Sequence, residues 1–491
     1  MTLTRFRHAI SCFVWIGIFV SAPVNAYDAE LWTHYTSQNT VTSIAEGEDE
    51  IFFGTSGGVR RYHRFRQTWL RTITTAEGLP DNFVRQISYN PDTGDLDIET
   101  RTGTARWMSR LEALTPGGFI ELSQGNYIPR IPNVVPPFGY YINRDIIRGP
   151  DRNYRILDAL VDSWNNLWIA TDGLGVGRAD LTFNQLEFLQ SGPLGNNVTA
   201  LDVDGSSIWI GGQTDFSARA RGISRFDRET EKWHYYESGT IPRLDDAEIS
   251  DVLSDTANVW FATDQGVIRY YKSNETWDTY RYSRGSSTRH IRHTRAMALG
   301  NDRLWLGTER GLAVLDLKAD TLRAVKGSHT FRIRDLATST KYIWAATHKG
   351  LFRSPVDDVT WSRTPGPSAA HQPILAVDTA GDSTWALAAA PPTLLISVHP
   401  DSTWTTQEIP EAAGSTEATL SVSGHRAWIG TESGVIRVNT LSGKSSELTA
   451  IDGLLDDYVQ VVRLEGDTVW IGTRNGLSLY RWKDDFRDPE D

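Results

Sequence analysis

The segment Val469-Trp470-Ile471-Gly472-Thr473 recurs along the chain and decides its fold. Close copies are Ala427-Trp428-Ile429-Gly430-Thr431 and Leu304-Trp305-Leu306-Gly307-Thr308. Segments 167–171, 208–212, 259–263 and 343–347 keep the pattern, 51–55 has Phe for Trp, and 96–100 and 384–388 are degenerate. Most of these segments are roughly 40 to 50 residues apart, with one longer interval between Asp97 and Trp168, which indicates tandem repeats.

Each repeat has the pattern of four antiparallel strands. Around Trp260, the segments 249–253, 258–263, 266–271 and 276–280 are rich in the β-branched and aromatic residues that suit a pleated sheet. Asn475-Gly476 and its counterparts join the second strand to the third, and glycine supplies the positive φ that a tight hairpin needs. Sheets this small bury their faces by stacking on identical neighbours, and radial stacking leaves only short edges.

The first and last repeats complement each other. The last one, centred on Trp470, has no fourth strand, whereas Leu31-Trp32-Thr33-His34-Tyr35 matches the fourth-strand pattern Lys232-Trp233-His234-Tyr235-Tyr236. We therefore predict an all-β fold, a β-propeller of four-stranded blades with about ten repeat units, closed by an N-terminal strand that completes the last blade. One ring of about ten is the favoured arrangement, and two smaller propellers are the alternative.

The chain divides into an export signal and a repeat region. Arg5, Arg7 and an apolar run from Ala9 to Ala22 precede Val24-Asn25-Ala26, which predicts a signal peptide over residues 1–26, cleaved after Ala26. The propeller is expected over 27–491, with an irregular insertion at about 111–155 that carries several prolines. Cys12 is the only cysteine and lies within the signal, so we expect no disulfide.

Composition restricts the partners. The net charge of −12 argues against nucleic acid, which attracts basic faces. No segment after the signal is apolar for the roughly 20 residues that a membrane span needs, so we expect none in the mature chain. The expected location is the periplasm or the medium.

The candidate binding residues lie in a basic tract between two repeats. Arg284, Arg289, His290, Arg292 and Arg295 follow a fourth strand and precede a first strand, which places them on a propeller face. Guanidinium groups bind sulfate, carboxylate or phosphate through paired hydrogen bonds. The alternative is a solvated loop whose charges pair with acids such as Asp245, Asp246 and Glu248.

Metal and catalytic sites find little support in the sequence. His290 and His293 have no third ligand nearby, and the adjacent arginines repel a cation, so no metal and no cofactor is predicted. No nucleophile elbow is predicted, the chain has no cysteine after the signal, and its many acids occur mostly in turns. We therefore predict no catalytic residues. The repeated tryptophans are interpreted as blade core rather than as a ligand-stacking ladder.

The repeat resembles the two-component regulator propeller repeat of periplasmic sensor regions in hybrid histidine kinases. The matching features are the Trp-Ile-Gly-Thr strand, the Gly-Leu or Gly-Val that follows it, and the linkers Thr75-Ala76-Glu77-Gly78-Leu79-Pro80-Asp81-Asn82 and Asp452-Gly453-Leu454-Leu455-Asp456-Asp457. Those sensors usually carry further modules, including a membrane helix and a kinase, that have no counterpart in this sequence. The resemblance therefore implies binding of glycans or partner proteins rather than signalling. Stand-alone members of similar build include surface proteins linked to type IX secretion.

These observations predict an exported propeller that binds a glycan or an envelope protein through loops on one face, without enzymatic activity. A glycoside hydrolase or polysaccharide lyase at the channel mouth is one alternative. A scaffold within an envelope or secretion complex is the other.

Overall fold

The computed structural model describes residues 28, 30–118, 131–150, 152–213, 222–237, 239, 241, 244, 248–281, 291–399 and 401–485. The predicted signal peptide lies outside these residues. Within the described part, no helix has the length and apolarity that crossing a bilayer requires. The helices described are six 3-10 turns, at Thr75–Glu77, Ser328–Thr330, Ser368–His371, Pro410–Ala412, Ala450–Asp452 and Trp482–Asp484.

The strands form ten antiparallel sheets, nine of four strands and one of six. Seven of them, ring sheets 1 to 7, are built from the following strands. Ring sheet 1 contains β16 (Val198–Asp204), β17 (Ser207–Gly212), β18 (Gly222–Asp227) and β19 (Lys232–Glu237). Ring sheet 2 contains β20 (Ile249–Ser254), β21 (Asn258–Thr263), β22 (Gly266–Tyr271) and β23 (Thr276–Arg281). Ring sheet 3 contains β24 (Thr294–Gly300), β25 (Arg303–Thr308), β26 (Gly311–Asp316) and β27 (Thr321–Ala324). Ring sheet 4 contains β28 (Ile333–Thr338), β29 (Tyr342–Thr347), β30 (Gly350–Pro355) and β31 (Ser362–Arg363).

The remaining ring sheets follow in chain order. Ring sheet 5 contains β32 (Ile374–Ala380), β33 (Ser383–Ala389), β34 (Pro392–Ser397) and β35 (Thr405–Glu408). Ring sheet 6 contains β36 (Thr419–Ser423), β37 (Arg426–Thr431), β38 (Gly434–Asn439) and β39 (Lys444–Leu448). Ring sheet 7 contains β40 (Val459–Glu465), β41 (Thr468–Thr473), β42 (Gly476–Tyr480) and the first strand of the chain, β1 (Trp32–Tyr35).

Three further sheets form an arc. Arc sheet 1 contains β2 (Val41–Glu46), β3 (Glu50–Thr55), β4 (Gly58–His63) and β5 (Thr68–Ile73). Arc sheet 2 contains β6 (Val84–Asn90), β7 (Asp95–Thr100), β8 (Thr104–Met108) and β9 (Ala113–Pro116). Arc sheet 3 contains β10 (Tyr141–Asn143), β11 (Ile146–Arg148), β12 (Asn153–Val161), β13 (Asn166–Thr171), β14 (Val176–Asp180) and β15 (Gln185–Leu189).

The repeated tryptophan forms the core between neighbouring sheets. Trp260 and Trp305 are completely buried, and each packs on the apolar residues of the sheet that follows. Its indole N–H often bonds to the turn before its own strand, as Trp260 does to Asp255 at 3.0 Å and Trp168 to Asp162 at 2.8 Å. A buried polar group that is bonded avoids the cost of desolvation. The assignment of the tryptophans to the blade core is thus borne out by their burial.

The seven ring sheets close into a circle. Their first strands contact one another in the order β16, β20, β24, β28, β32, β36 and β40, and β40 contacts β16. A core cluster joins the last sheet to the first and contains Val198, Ile208, Trp470 and Leu477. β1 pairs with β42 in the register Trp32 with Tyr480 and Tyr35 with Leu477. The predicted four-stranded repeat and its closure by an N-terminal strand are confirmed.

The arc differs from the single ring of about ten that the repeat count favoured. β2 contacts both β12 and β6, so arc sheet 1 lies between arc sheets 3 and 2. Among the described residues, no core cluster joins arc sheets 2 and 3. The seven ring sheets already bury each other's faces, which leaves no opening for three more. The arrangement is therefore a closed ring with an open arc beside it.

The two open faces of the arc are protected in different ways. Arc sheet 2 has Asp97 where other sheets have tryptophan, and Asp97 forms an ion pair with Arg106 on that face at 2.6 Å. On arc sheet 3, Ile142 and Ile147 of the β10–β11 hairpin pack on the core with Tyr140. Terminal units of repeat proteins need such polar or covered outer faces. The expected insertion, 111–155, thus contains β9, β10, β11 and the start of β12, and part of it covers a sheet.

The chain crosses between the ring and the arc twice, at residues 36–40 and 190–197. Gln38 N–H donates to Ser191 O at 3.1 Å, and Ser191 N–H donates to the Asn39 side chain at 3.1 Å. Gly192 has φ 74°, and a Cβ there would lie 1.8 Å from Thr36 O, so only glycine fits. The arc is therefore inserted into the ring between its closing strand β1 and its first sheet.

Candidate functional site

The main candidate site is a cavity of about 530 Å³ at the mouth of the ring channel. It lies on the face where the first strands of the ring sheets begin. All seven ring sheets or the loops leading into them contribute to its wall, through residues such as Thr199, Ser250, Arg295, Arg334, Leu375, Ala418 and Gln460. Loops at the mouth of a closed channel are where propellers can vary their side chains without disturbing the sheets.

Three arginines lie on one side of this cavity, on ring sheets 3 and 4. Arg295 binds Glu309 at 2.9 Å, and Arg332 binds the same carboxylate at 3.4 Å. Arg334 donates to Thr416 O at 2.6 Å, in the loop before ring sheet 6. This side chain therefore reaches from ring sheet 4 to ring sheet 6 across the mouth. We name Arg295, Arg332 and Arg334 the mouth arginines.

Acidic and neutral polar groups complete the wall. Glu248, Asp264, Glu309, Glu417 and Glu432 are its acids. The wall also has hydroxyl and amide groups from Thr199, Ser250, Gln213 and Gln460, and the Ser250 hydroxyl donates to Thr294 O at 2.6 Å. The Glu432 carboxylate accepts the backbone N–H of Thr416 at 3.0 Å and the Thr416 hydroxyl at 2.5 Å. The cavity thus offers both charged and neutral hydrogen-bonding groups to a ligand.

Local charges set the protonation of the mouth. Burial raises the pKa of Glu309, but Arg295, Arg332 and His293 outweigh that effect and leave it below its usual value. Burial lowers the pKa of Arg334, which also faces Arg332 and Arg295. Glu309 is thus an ionised ion-pair partner, whereas a general acid in glycoside hydrolysis needs a raised pKa. The geometry suits binding.

Below the mouth, the channel wall is held together by side chains that accept backbone N–H groups of the next first strand. The pairs are Asp202 with Ser254 at 2.7 Å, Asp251 with Met297 at 2.7 Å, Asp335 with Val377 at 2.9 Å, Asp378 with Val422 at 2.9 Å, and Ser421 with Leu464 at 2.9 Å. The same bond joins the arc sheets, from Ile44 to Asp158 at 2.8 Å and from Ile87 to Ser43 at 3.1 Å. In the ring and in the arc, this bond joins a side chain of one sheet to the backbone of the next sheet, so it gives the order of the sheets.

Burial raises the pKa of three of these aspartates, Asp251, Asp335 and Asp378. Asp251 reaches about 8, with a further contribution from Asp335, and Asp335 itself reaches about 7. Asp378 reaches about 6, because Arg463 partly offsets its burial. Arg463 lies 3.1 Å from Asp202, and its charge faces all four aspartates. These groups connect neighbouring sheets, which gives them a structural role.

The structure places part of the predicted basic tract at this site. Arg295 lines the cavity, and Arg292 is exposed in the turn just before the same strand. Arg284, Arg289 and His290 lie outside the described residues, as do Asp245 and Asp246. Arg332 and Arg334 were not predicted, because they belong to the next repeat. Arg334 occupies the position in β28 that Arg295 occupies in β24. An alignment of the repeats therefore identifies Arg334 and, two residues before it, Arg332.

The comparisons with known proteins give a structural likeness. No protein-family model and no curated protein matches the sequence, so the resemblance to the regulator propeller family has no confirmation from a family model. The fold aligns with PorZ, an essential surface component of the type IX secretion system of Porphyromonas gingivalis, with TM-score 0.62 and 13% identity over 92% of this chain and 87% of that chain. The extracellular domain of a putative hybrid two-component system from B. thetaiotaomicron aligns with TM-score 0.44 and 14% identity over 90% of this chain and 69% of that one. The WD40 domain of Neurospora crassa Pan2 aligns with TM-score 0.45 and 14% identity over 59% of this chain and 90% of that one. The likeness to PorZ shows the fold, which is an all-β propeller.

Proposed function

We propose that this protein is an exported recognition propeller that binds an envelope glycan or an envelope protein at the mouth of its ring channel. The observation that carries the proposal is the cavity of about 530 Å³ to which all seven ring sheets contribute. A wall built from seven rigid sheets is preorganised, and preorganisation lowers the cost of binding.

The groups at the mouth define the kind of ligand. The hydroxyl and amide oxygens of Thr199, Ser250 and Gln460 can accept hydrogen bonds from sugar hydroxyls or peptide N–H groups, since these side chains donate to other protein groups. The mouth arginines can bind carboxylate, sulfate or phosphate in a bidentate way. Arg295 lies 4.0 Å from Glu417, so an anionic group of a ligand can displace this carboxylate.

The expected location supports the search for a ligand in the cell envelope. The predicted signal peptide implies export, and PorZ, which has the same fold, is a surface component of a secretion system. A scaffold role in an envelope complex fits the fold equally. The test below separates the two roles, because a scaffold does not need an open mouth and its partners would not be lost when the mouth is changed.

The experiment combines a glycan array with affinity capture from envelope extract, using the whole mature chain. Arg295→Ala/Arg334→Ala changes the mouth, and Arg66→Ala on an exposed turn of the arc is the matched control. We expect the double variant to lose the captured glycan or protein and the control to keep it. Capture that persists unchanged in the double variant, or no capture by the native chain, contradicts the proposal.

A further inference from the structure

A second cavity lies on the outer rim between ring sheets 3 and 4. It has a volume of about 580 Å³ and apolar walls. Val314, Val325, Phe331, Val359 and Trp361 form the walls, and Arg323 and Lys326 lie beside them. We name this cavity the rim groove.

The groove exists because two large side chains of the repeat are missing here. In ring sheets 1 and 2, Tyr236 and Tyr280 lie opposite the second residue of the third strand. In ring sheet 3 the second residue of the third strand is Leu312. The residue opposite it is Val325, whose N–H donates to Leu312 O at 2.9 Å. A valine leaves empty the space that a tyrosine ring fills in the two preceding sheets.

The facing sheet has a second replacement. Tyr270, the fifth residue of β22, lies 5.8 Å from Tyr236 between ring centroids. The fifth residue of β30 is Ser354, which is completely buried and bonded to Asp358 O at 3.3 Å. Ring sheet 4 also has only Ser362 and Arg363 in its fourth strand. Trp361 precedes this short strand and packs on Trp305 at 5.6 Å instead of extending the sheet.

The inner end of the same interface differs as well. Ala296 and Ala298 occupy the first-strand positions that carry Asp251 and Asp202 in the preceding sheets. In the described residues, ring sheets 3 and 4 therefore have no aspartate-to-backbone bond of the kind that joins most other neighbours. The interface with the rim groove thus lacks several of the contacts that recur elsewhere.

We propose that the rim groove binds an extended, acidic segment of a partner protein through one aromatic side chain. The aromatic ring takes the place that Tyr236 and Tyr280 occupy in the equivalent interfaces. Among the described residues, the side chains of Arg323 and Lys326 form no hydrogen bond and no ion pair, so both are available for carboxylates beside the aromatic residue. Buried aromatic anchors with flanking charges are typical of strong protein contacts.

One acid, Asp358, directly precedes the wall residues Val359 and Thr360, and a second, Asp316, interacts with the charge of Arg323. Hydrogen bonds from Thr360 and from the Val359 N–H, together with the charge of Arg303, lower the pKa of Asp358. The Asp358 carboxylate is therefore already bonded at the end of the groove. Arg323 and Lys326 lie on the other wall, on and just after β27, and both are exposed.

The test uses the mature chain and a fluorescein-labelled acetylated peptide, Glu-Asp-Tyr-Glu-Asp, followed by fluorescence anisotropy. We expect a peptide with Ala in place of Tyr, or with Gln in place of the acids, to bind about tenfold more weakly or worse. Binding is also expected to weaken as salt rises. Absence of binding by the Tyr peptide at millimolar concentration overturns the proposal.

Two variants locate the binding on the protein. Val325→Tyr restores the residue of ring sheets 1 and 2 and is expected to abolish binding while leaving thermal stability equal or higher. Arg323→Glu/Lys326→Glu changes only exposed charges and keeps the test valid if Val325→Tyr folds poorly. Lys318→Glu, exposed on the same sheet, is the matched control. Unchanged binding in both groove variants contradicts the proposal.

A photoreactive peptide distinguishes a peptide site from a lipid site. With benzoylphenylalanine in place of Tyr, the proposal requires cross-links to 323–328 or 359–361. Cross-links elsewhere overturn it. Stronger binding of a dansyl-labelled fatty acid than of the Tyr peptide, with the same loss in Val325→Tyr, also overturns it, because the groove is then a lipid site.

Discussion

The indole of Trp32 stacks on the phenol ring of Tyr480, with 4.4 Å between ring centroids and 28° between ring planes. Trp32 is 4% exposed, and its core cluster also contains Trp428 and Trp482. This contact fastens the closing strand to the ring, because among the described strands β1 pairs with β42 alone.

Truncation of this side chain tests the closure. We expect Trp32→Ala to destabilise the protein by about 3–5 kcal/mol, which is usual for removing a buried tryptophan. Trp164→Ala is the control, because Trp164 is 46% exposed, and it should cost less than about 1 kcal/mol. Urea unfolding followed by tryptophan fluorescence and circular dichroism measures both. Equal effects of the two substitutions contradict the assigned role of β1.

The channel aspartates predict a dependence of stability on pH. The pKa of Asp251 is raised to about 8 and that of Asp335 to about 7, mainly by burial, whereas both are near 3.8 when unfolded. The folded protein therefore holds protons that the unfolded chain releases, so stability falls as pH rises through about 7 to 8. We expect the free energy of unfolding to be at least about 1 kcal/mol higher at pH 5.5 than at pH 8.

Amide variants identify the groups that are responsible. Asp251→Asn/Asp335→Asn keeps an oxygen that accepts the backbone N–H, and it is expected to flatten the pH profile between 5.5 and 8. Asp227→Asn changes a carboxylate at the end of β18 whose pKa is lowered by backbone hydrogen bonds, and it should leave that profile intact. A steep profile in the double variant argues against these two aspartates as its source.

A buried indole bond predicts a third effect. Asp255 accepts from Trp260 Nε1 at 3.0 Å and from the backbone N–H groups of Ala257 and Asn258 at 2.7 Å each. Asp255→Ala leaves these donors unpaired, and we expect a loss of about 1–3 kcal/mol in unfolding free energy. Asp302→Ala removes an exposed partner of Lys318 and should cost below about 1 kcal/mol. A loss no larger than that of the control refutes the assignment.

The double crossover predicts a site of local opening. Asn39 accepts the Ser191 N–H through its side chain, and its backbone oxygen accepts from Gly173 and Gly175. Asn39→Ala is expected to increase subtilisin cleavage near residues 36–40 and 190–197, with little change in the ring. Thr93→Ala, on an exposed turn, is the control. Mass spectrometry of the fragments locates the cuts, and an unchanged pattern in Asn39→Ala counts against the crossover as the joint.

The sequence predicted the sheets better than it predicted their arrangement. The strands around Trp260 were expected at 249–253, 258–263, 266–271 and 276–280, and they lie there within one residue. The positions of Trp32 and Tyr35 predicted the closure. The periodic pattern reports contacts within one sheet and its neighbour, whereas the number of sheets in a circle depends on small rotations summed over all interfaces.

A local signal for the open arc was nevertheless present. Asp97 replaces the repeated tryptophan, and such a residue marks a face on which no further sheet packs. For the candidate site, Arg295 was predicted because it belongs to a basic tract. Arg334 was not predicted, because its proximity to Arg295 depends on the stacking of ring sheets 3 and 4. The rim groove depends on Val325 and Ser354, which become informative only when aligned with tyrosines of other repeats.

The insertion of the arc between β1 and β16 has a consequence for biogenesis. As the polypeptide leaves the ribosome or the translocation pore, the arc is complete by residue 189, long before β42 is available. The arc can therefore mature early, while the strand at 32–35 stays without its partner until residues 476–480 emerge. During that interval the nascent ring carries an unsatisfied β-edge, and chaperone protection or rapid late docking of that edge decides between a closed circle and aggregation.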